Sequence, residues 1–279
     1  MESIQMNDLS NATFIMPLRI ESQDRLRNII LSLSYLLNNF KTNVIIQEVD
    51  TDSKFQQYAA PELEKLVSDL TPITLVFEES QDPIFHRTRI LNDMLLESKT
   101  DVVVNYDTDV IFPTNSYLKS YDMILNQGYD LVYPYGQGEW QQKVQLYPDL
   151  MTKFVQSGYK WEVLNEGEHN EKSTSDYGWA QFFNRKSYIE GGMENEEFVS
   201  YGYEDNERVY RFETLGYKVG RVDDQIFHLE HARTFNSWFS NPHIGNNKDL
   251  YDRIKTLNKE KLEHYYSTVD YIKNRNGKE

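Results

Sequence analysis

Residues 101–113, Asp-Val-Val-Val-Asn-Tyr-Asp-Thr-Asp-Val-Ile-Phe-Pro, decide how this chain is read. Val102, Val103 and Val104 form a continuous apolar run suited to a strand covered on both faces, and the run ends in two carboxylates one residue apart, Asp107 and Asp109. Taking an unpaired carboxylate out of water is costly, so a strand that spends its valines on a core and then presents two acids points to a ligand at its end. In extended chain, residues i and i+2 face the same way. Asp107 and Asp109 can therefore converge on one hard cation, Mg²⁺ or Mn²⁺, of the kind that bridges protein to phosphate. A surface turn opened by Asp-Thr-Asp accounts for the same three residues, since Asp is a favoured turn residue.

Outward from this stretch the pattern alternates. Thr13 to Met16 reads as a first strand, followed by Pro17-Leu18-Arg19. Leu26, Ile29, Ile30, Leu33, Leu36 and Leu37 then recur at helical spacing. Further strands are predicted at 43–47, 73–77, 101–106 and 130–133, with helices over 87–98 and 115–127. Strand and helix alternating over the first 135 residues predict an α/β fold with a parallel, doubly wound sheet, whose ligands sit beyond the carboxyl ends of the strands. Arg19, Asp50, Asp107 and Asp109 all fall at such ends. Residues 135–176, rich in Gln, Gly, Glu and Ser, show no sustained period and read as a long irregular excursion. Regularity resumes with a strand at 180–183, a helix over 204–215, a strand at 217–222 and a terminal helix from about 247. The expectation is one domain with a nucleotide-binding half (13–135), an acceptor and catalytic half (136–245) and a helical tail (246–279).

Composition narrows the function. The 279 residues carry a formal net charge of −15, which argues against nucleic-acid partners, because these need a basic face to displace counterions. An acidic protein that binds an anionic nucleotide needs a metal ion and a few placed arginines. Cysteine is absent, which excludes a disulfide scaffold and cysteine-ligated zinc and fits a reducing compartment. The polar start and the lack of a long apolar run predict neither a signal peptide nor an integral membrane segment, and hence a cytoplasmic protein. The tail from Asn246 to Glu279 reverses the charge balance, with eight Lys/Arg against six Asp/Glu. A solvated helix explains that reversal, with peripheral contact at an anionic inner-membrane face as the alternative.

Five segments, in order, resemble glycosyltransferases of the GT-A fold, most closely the β-1,4-galactosyltransferase type (family 7) and bacterial relatives in family 2. Pro17-Leu18-Arg19 is similar to the family's Pro-Phe-Arg nucleotide-binding turn, with Glu21 where a second arginine often stands. Phe85-His86-Arg87-Thr88-Arg89-Ile90-Leu91-Asn92 resembles its Phe-x-Arg-Ala-Lys-x-x-Asn segment, and Asp107-Thr108-Asp109 its Asp-x-Asp. Tyr201-Gly202-Tyr203-Glu204-Asp205-Asn206-Glu207 resembles the Trp-Gly-Gly-Glu-Asp-Asp-Asp acceptor segment, and His228-Leu229-Glu230-His231 the later metal-binding stretch. The resemblance implies a Rossmann-like, mostly parallel nucleotide-binding sheet with an acceptor-side half. It also implies transfer of a hexose or N-acetylhexosamine, Gal or GalNAc, from a UDP-sugar to a saccharide acceptor with inversion, in polysaccharide biosynthesis, with Mn²⁺ or Mg²⁺ as cofactor.

The resemblance assigns roles residue by residue. Pro17, Arg19, Phe85, Arg87 and Asp107 hold the nucleotide; guanidinium is permanently charged and suits a diphosphate. Asp109 and His231 bind the metal, with His228 as a second imidazole where galactosyltransferases often carry methionine; the pair is placed in a loop after a strand. Asp205 is the base and Glu204 binds the acceptor. Residue chemistry leaves a structural explanation open, since Glu204, Asp205 and Glu207 also complement a helix N-terminus. Tyr201 and Tyr203 offer flat faces to sugar rings, and Trp179 borders the donor sugar. Trp140 and Trp161 read as packing residues. Two alternatives are a noncatalytic sugar-nucleotide or glycan-binding module and a nucleotidyltransferase; the latter would carry a glycine-rich loop after the first strand, and none follows Met16.

Overall fold

Val102, Val103 and Val104 are fully buried at the centre of the molecule in a computed structural model that describes residues 6–167, 171–172, 177–236 and 240–276. The chain runs β1 (Asn7–Leu18), α1 (Gln23–Asn39), β2 (Phe40–Asp50), a π-helical turn at Phe55–Ala59 leading into α2 (Ala60–Leu66), β3 (Ile73–Glu79), α3 (Arg87–Glu97) and β4 (Val102–Tyr106). Then follow β5 (Val110–Ile111), α4 (Thr114–Asn126), β6 (Leu131–Tyr133), β7 (Gln141–Val144), α5 (Pro148–Gln156), β8 (Glu171–Lys172), β9 (Ala180–Asn184) and α6 (Arg185–Glu190). The last elements are α7 (Glu204–Leu215), β10 (Val219–Arg221), β11 (Ile226–Leu229), α8 (Ile244–Ile254), α9 (Lys259–Thr268) and α10 (Asp270–Asn276).

Seven strands form the main sheet in the order β10-β6-β9-β4-β1-β2-β3. Every pairing is parallel except those of β9, which runs against both β4 (Val102 opposite Asn184, Tyr106 opposite Ala180) and β6. The sheet is mostly parallel, as expected, and the reason for the one exception is topological. The excursion leaves the carboxyl end of β6 and re-enters at that same end, so the returning strand has to run backwards. On one face Tyr35 of α1 and Tyr117 of α4 meet Phe14 and Tyr106 in an aromatic cluster. Asn105, pointing the opposite way from Tyr106, donates to the Tyr188 hydroxyl at 2.7 Å, while Asn92 of α3 donates to the Glu194 carbonyl at 2.9 Å.

The excursion is more regular than its composition predicts. It supplies β7, α5 and β8, and β7 pairs parallel with β11 in a second sheet of order β5-β11-β7-β8. Strands of two to four residues are too short to show a period. Trp161 packs against Phe227 (6.2 Å between ring centroids), and Trp140 lies so close over Gly136 that an added Cβ would sit 2.1 Å from the indole. The tail folds as three helices and is not simply solvated: Leu262, Tyr266 and Tyr271 are buried, and the Tyr266 hydroxyl donates to Glu207 of α7 at 2.5 Å. No helix among the described residues is long and apolar enough to cross a membrane.

Candidate active site

The chain turns after β4. Residues 107–109 are not extended, so Asp107 and Asp109 do not converge as residues i and i+2 of a strand would. Asp107 Oδ1 accepts from Arg87 Nη2 at 2.7 Å, while Asp109 Oδ2 lies 3.0 Å from His231 Nε2 and Asp109 Oδ1 lies 3.7 Å from His228 Nε2. The second sheet creates this meeting: β5 pairs antiparallel with β11, setting His228 opposite Val110, and the Leu229 N–H donates to the Asp109 carbonyl at 2.7 Å. His228 is thus inside a strand rather than in the loop predicted for it. His231 follows directly, and one ligand atom from each of Asp109, His228 and His231 lies within 4.8 Å of the others.

The far sides of both imidazoles are occupied. His231 Nδ1 lies 2.8 Å from the Ala232 carbonyl, which can only accept, so that nitrogen carries the hydrogen and the Nε2 lone pair is left for Asp109. His228 Nδ1 lies 2.8 Å from Glu230 Oε1. Burial works against the Glu230 charge, but the hydrogen bond to His228 keeps its carboxyl below the ordinary range, so it too acts as an acceptor. Two imidazole lone pairs facing a carboxylate repel it unless a cation or added protons lie between. Asp109 Oδ1 is also buried without a hydrogen bond among the described residues. One oxygen and two nitrogen ligands, each imidazole braced from behind, fit Mn²⁺ or another divalent first-row ion.

The arginines sit on the neighbouring wall. Arg19 donates from Nε to the Val49 carbonyl (2.8 Å) and from Nη1 to the Pro83 carbonyl (3.0 Å), with its guanidinium 5.3 Å above the Phe85 ring. Arg87 opens α3, where a cation opposes the helix dipole, and its Nη1 lies 3.9 Å from Glu204 Oε1. Buried nitrogens without hydrogen-bond partners among the described residues remain on both, Nη2 of Arg19 and Nη1 of Arg87. Asp50, at the end of β2, is engaged by Lys54 at 2.7 Å.

Tyr201, Glu204 and Asp205 supply another wall. Gly202 has φ +113°, a backbone conformation that requires glycine, and a Cβ there would also displace the Ile244 Cδ1 methyl, 2.3 Å away. Its N–H donates to Glu204 Oε2 at 2.6 Å. Glu204 is only 2% exposed, and burial, then the charge of Asp205, pushes its carboxyl up to about 7. Asp205 accepts from Arg208 Nη1 at 2.8 Å. Arg208 is fully buried and forks onto both oxygens of Glu194, each at 2.7 Å. Burial opposes the Glu194 charge, yet Arg208 holds that carboxyl down at about 2.

A cavity of about 150 Å³ joins these walls, lined by Pro17, Arg19, Phe85, Arg87, Asp107, Asp109, Trp179, Tyr201, Glu204, Asp205, His228 and His231. The Trp179 indole stacks on His228 with 5.4 Å between centroids. Tyr203 does not line the cavity; its ring stacks on Tyr251 of α8 at 5.9 Å. Arg25, Ser200, Arg233 and Asn236 also line it, and the sequence reading passed them over. Asn236 accepts from the Phe85 N–H at 3.0 Å and donates to the Pro83 carbonyl at 2.9 Å.

No protein-family model matches the chain, and no curated protein sequence matches it. Solved structures do match. One is the mannosyltransferase PcManGT from Pyrobaculum calidifontis, in complex with GDP-Man and Mn²⁺ (TM-score 0.50, 15% identity, 80% of this chain and 57% of that one). Another is GalNAc-T7 with UDP, GalNAc and Mn²⁺ (TM-score 0.58, 12% identity, 95% of this chain and 50% of that one). This is the GT-A fold. At these identities the likeness shows the fold alone, and the chain spans only 57% and 50% of the two proteins it matches. In this GT-A chain the cavity opens at the carboxyl ends of β1 and β4, where a doubly wound sheet binds its ligands.

Proposed function

We propose that this chain is a metal-dependent inverting glycosyltransferase that moves a hexose or N-acetylhexosamine from a UDP-sugar to a saccharide hydroxyl. One observation carries the reading: the Asp109, His228 and His231 group and the acids Glu204 and Asp205 share one cavity at the ligand-binding end of a GT-A sheet. The GDP-Man and Mn²⁺ bound to one structural neighbour and the UDP, GalNAc and Mn²⁺ bound to the other agree with metal-dependent sugar transfer. In this reading Asp109, His228 and His231 hold Mn²⁺, which when bound supplies positive charge to the departing diphosphate. Arg87 and Asp107 form the wall beside the nucleotide, and Arg19 shapes that wall by clamping the Val49 and Pro83 carbonyls over Phe85. Asp205 takes the proton of the acceptor hydroxyl as its oxygen attacks the anomeric carbon. The bond to the diphosphate oxygen breaks on the opposite face, releasing UDP. Arg208 steadies Asp205, Glu204 hydrogen-bonds the acceptor, and Tyr201 and Trp179 offer aromatic faces to the sugars.

The test is release of nucleoside diphosphate from a panel of UDP- and GDP-sugars with Mn²⁺, with and without simple saccharides. Asp205→Asn should lower turnover by about 10²–10⁴ with donor binding intact. A dead Glu204→Gln beside an active Asp205→Asn moves the base by one residue. Activity in both refutes a catalytic role for this segment.

A further inference from the structure

Arg25 and Arg233 are the cavity arginines whose side-chain donors are least used among the described residues, and Arg233, 3.7 Å from Glu230, stands half exposed. Arg19 spends Nε and Nη1 on carbonyls, and Arg87 spends Nη2 on Asp107. Arg27, two residues on, is bound to Asn28 and to the Glu230 carbonyl. Arg25 lines the cavity beside Asp109 and His231, yet its one side-chain polar contact among the described residues is a 3.7 Å approach of Nε to Glu21, and that Nε is buried without a hydrogen bond. Glu21 is itself engaged, accepting from Thr234 Oγ1 at 2.7 Å.

A loose i,i+4 approach to Glu21 is the one structural reason the local sequence gives for an arginine here. Ser22 caps α1 and accepts from the Arg25 N–H at 3.2 Å, so Arg25 stands at the third helical position, where a capping box carries Glu or Gln and where a cation opposes the helix dipole. A residue that breaks a local rule beside a ligand cavity is a mark of function.

We propose that Arg25 binds the diphosphate of the nucleotide donor, next to the metal group and on the side away from Arg87. This deepens the donor-binding reading above and rests on it. A planar guanidinium with free N–H groups matches paired phosphate oxygens, which an ammonium group cannot imitate.

Calorimetry with Mn²⁺ alone, and with UDP and UMP in the presence of Mn²⁺, tests it on wild type, Arg25→Lys and Arg25→Ala. Arg25→Ala should weaken UDP by about 10- to 100-fold and UMP much less, with Arg25→Lys between. Mn²⁺ alone should bind Arg25→Ala as well as wild type or more tightly, because a nearby positive charge has gone. That opposite direction separates loss of a phosphate contact from general damage to the site. Unchanged UDP affinity in Arg25→Ala, equal losses for UDP and UMP, or a parallel loss of Mn²⁺ binding overturns the role of Arg25 alone. Wild type that binds Mn²⁺ but neither UDP nor GDP overturns the donor reading itself.

Discussion

Glu204→Gln should make the protein more stable at alkaline pH. Glu204 is buried at the start of α7, and its carboxyl is pushed up to about 7 from the ordinary 4.5. Between those values the unfolded chain has lost this proton while the folded chain keeps it, so stability falls as pH rises through the window, and the whole loss is present above 7. Its size is about 3 kcal/mol if the site stays rigid and dry, and less if water enters. Gln keeps the shape and can still accept from the Gly202 N–H, now 2.6 Å from Oε2, but it has no charge to bury. Urea unfolding of both proteins at pH 5 and pH 8.5, with EDTA to strip metal, reports the effect, because titrating groups remote from Glu204 cancel in the difference. The variant should gain little at pH 5 and about 2–3 kcal/mol at pH 8.5. A gain of the same size at both pH values, or a variant less stable at pH 8.5, refutes the argument that burial and Asp205 set the state of Glu204.

Asp109→Ala should abolish Mn²⁺ binding measured by calorimetry, because it removes the carboxylate that both imidazoles face. Glu230→Gln should weaken Mn²⁺ by about 10- to 100-fold without touching the ion, since it braces His228 from behind; unchanged affinity would show that this hydrogen bond is incidental. Arg208→Met should cost about 3–5 kcal/mol in denaturant unfolding, because it leaves Glu194 buried and unpaired, whereas a cost under about 1 would mean that water reaches the pair.

The order of segments, the valine strand and the α/β class were legible because they rest on composition and local period. Asp109, His228 and His231 were named from spacing and resemblance, and the structure brings them together through a second sheet that spacing does not reveal. Extended chain would aim Asp107 and Asp109 at one cation, but residues 107–109 form a turn in which Asp107 pairs with Arg87 and Asp109 faces the two imidazoles. Tyr203 was read as a sugar platform from its neighbours in sequence, but its left-handed backbone (φ 71°) accompanies a ring packed on Tyr251. Arg25 carried a readable signal, a cation in the third position after a serine cap, which passes unnoticed unless capping is examined residue by residue. Glu194 and Arg208 carried none. Their pairing depends on burial across fourteen residues of chain, which charge counting does not capture.

The backward strand β9 has a consequence for how the protein is made. β6 touches the main sheet only through β9 and β10, so the sheet formed by β1 to β4 cannot recruit Leu131–Tyr133 until Ala180–Asn184 has left the ribosome. For about fifty residues of synthesis, at roughly 5–20 residues per second, a nascent chain holds the open edge of β4, with its run of valines, unpaired. That edge is a template for pairing with a second chain. The two halves of the main sheet thus share one folding event, and a fragment ending near residue 135 should be an aggregation-prone half-sheet rather than an independently folded unit.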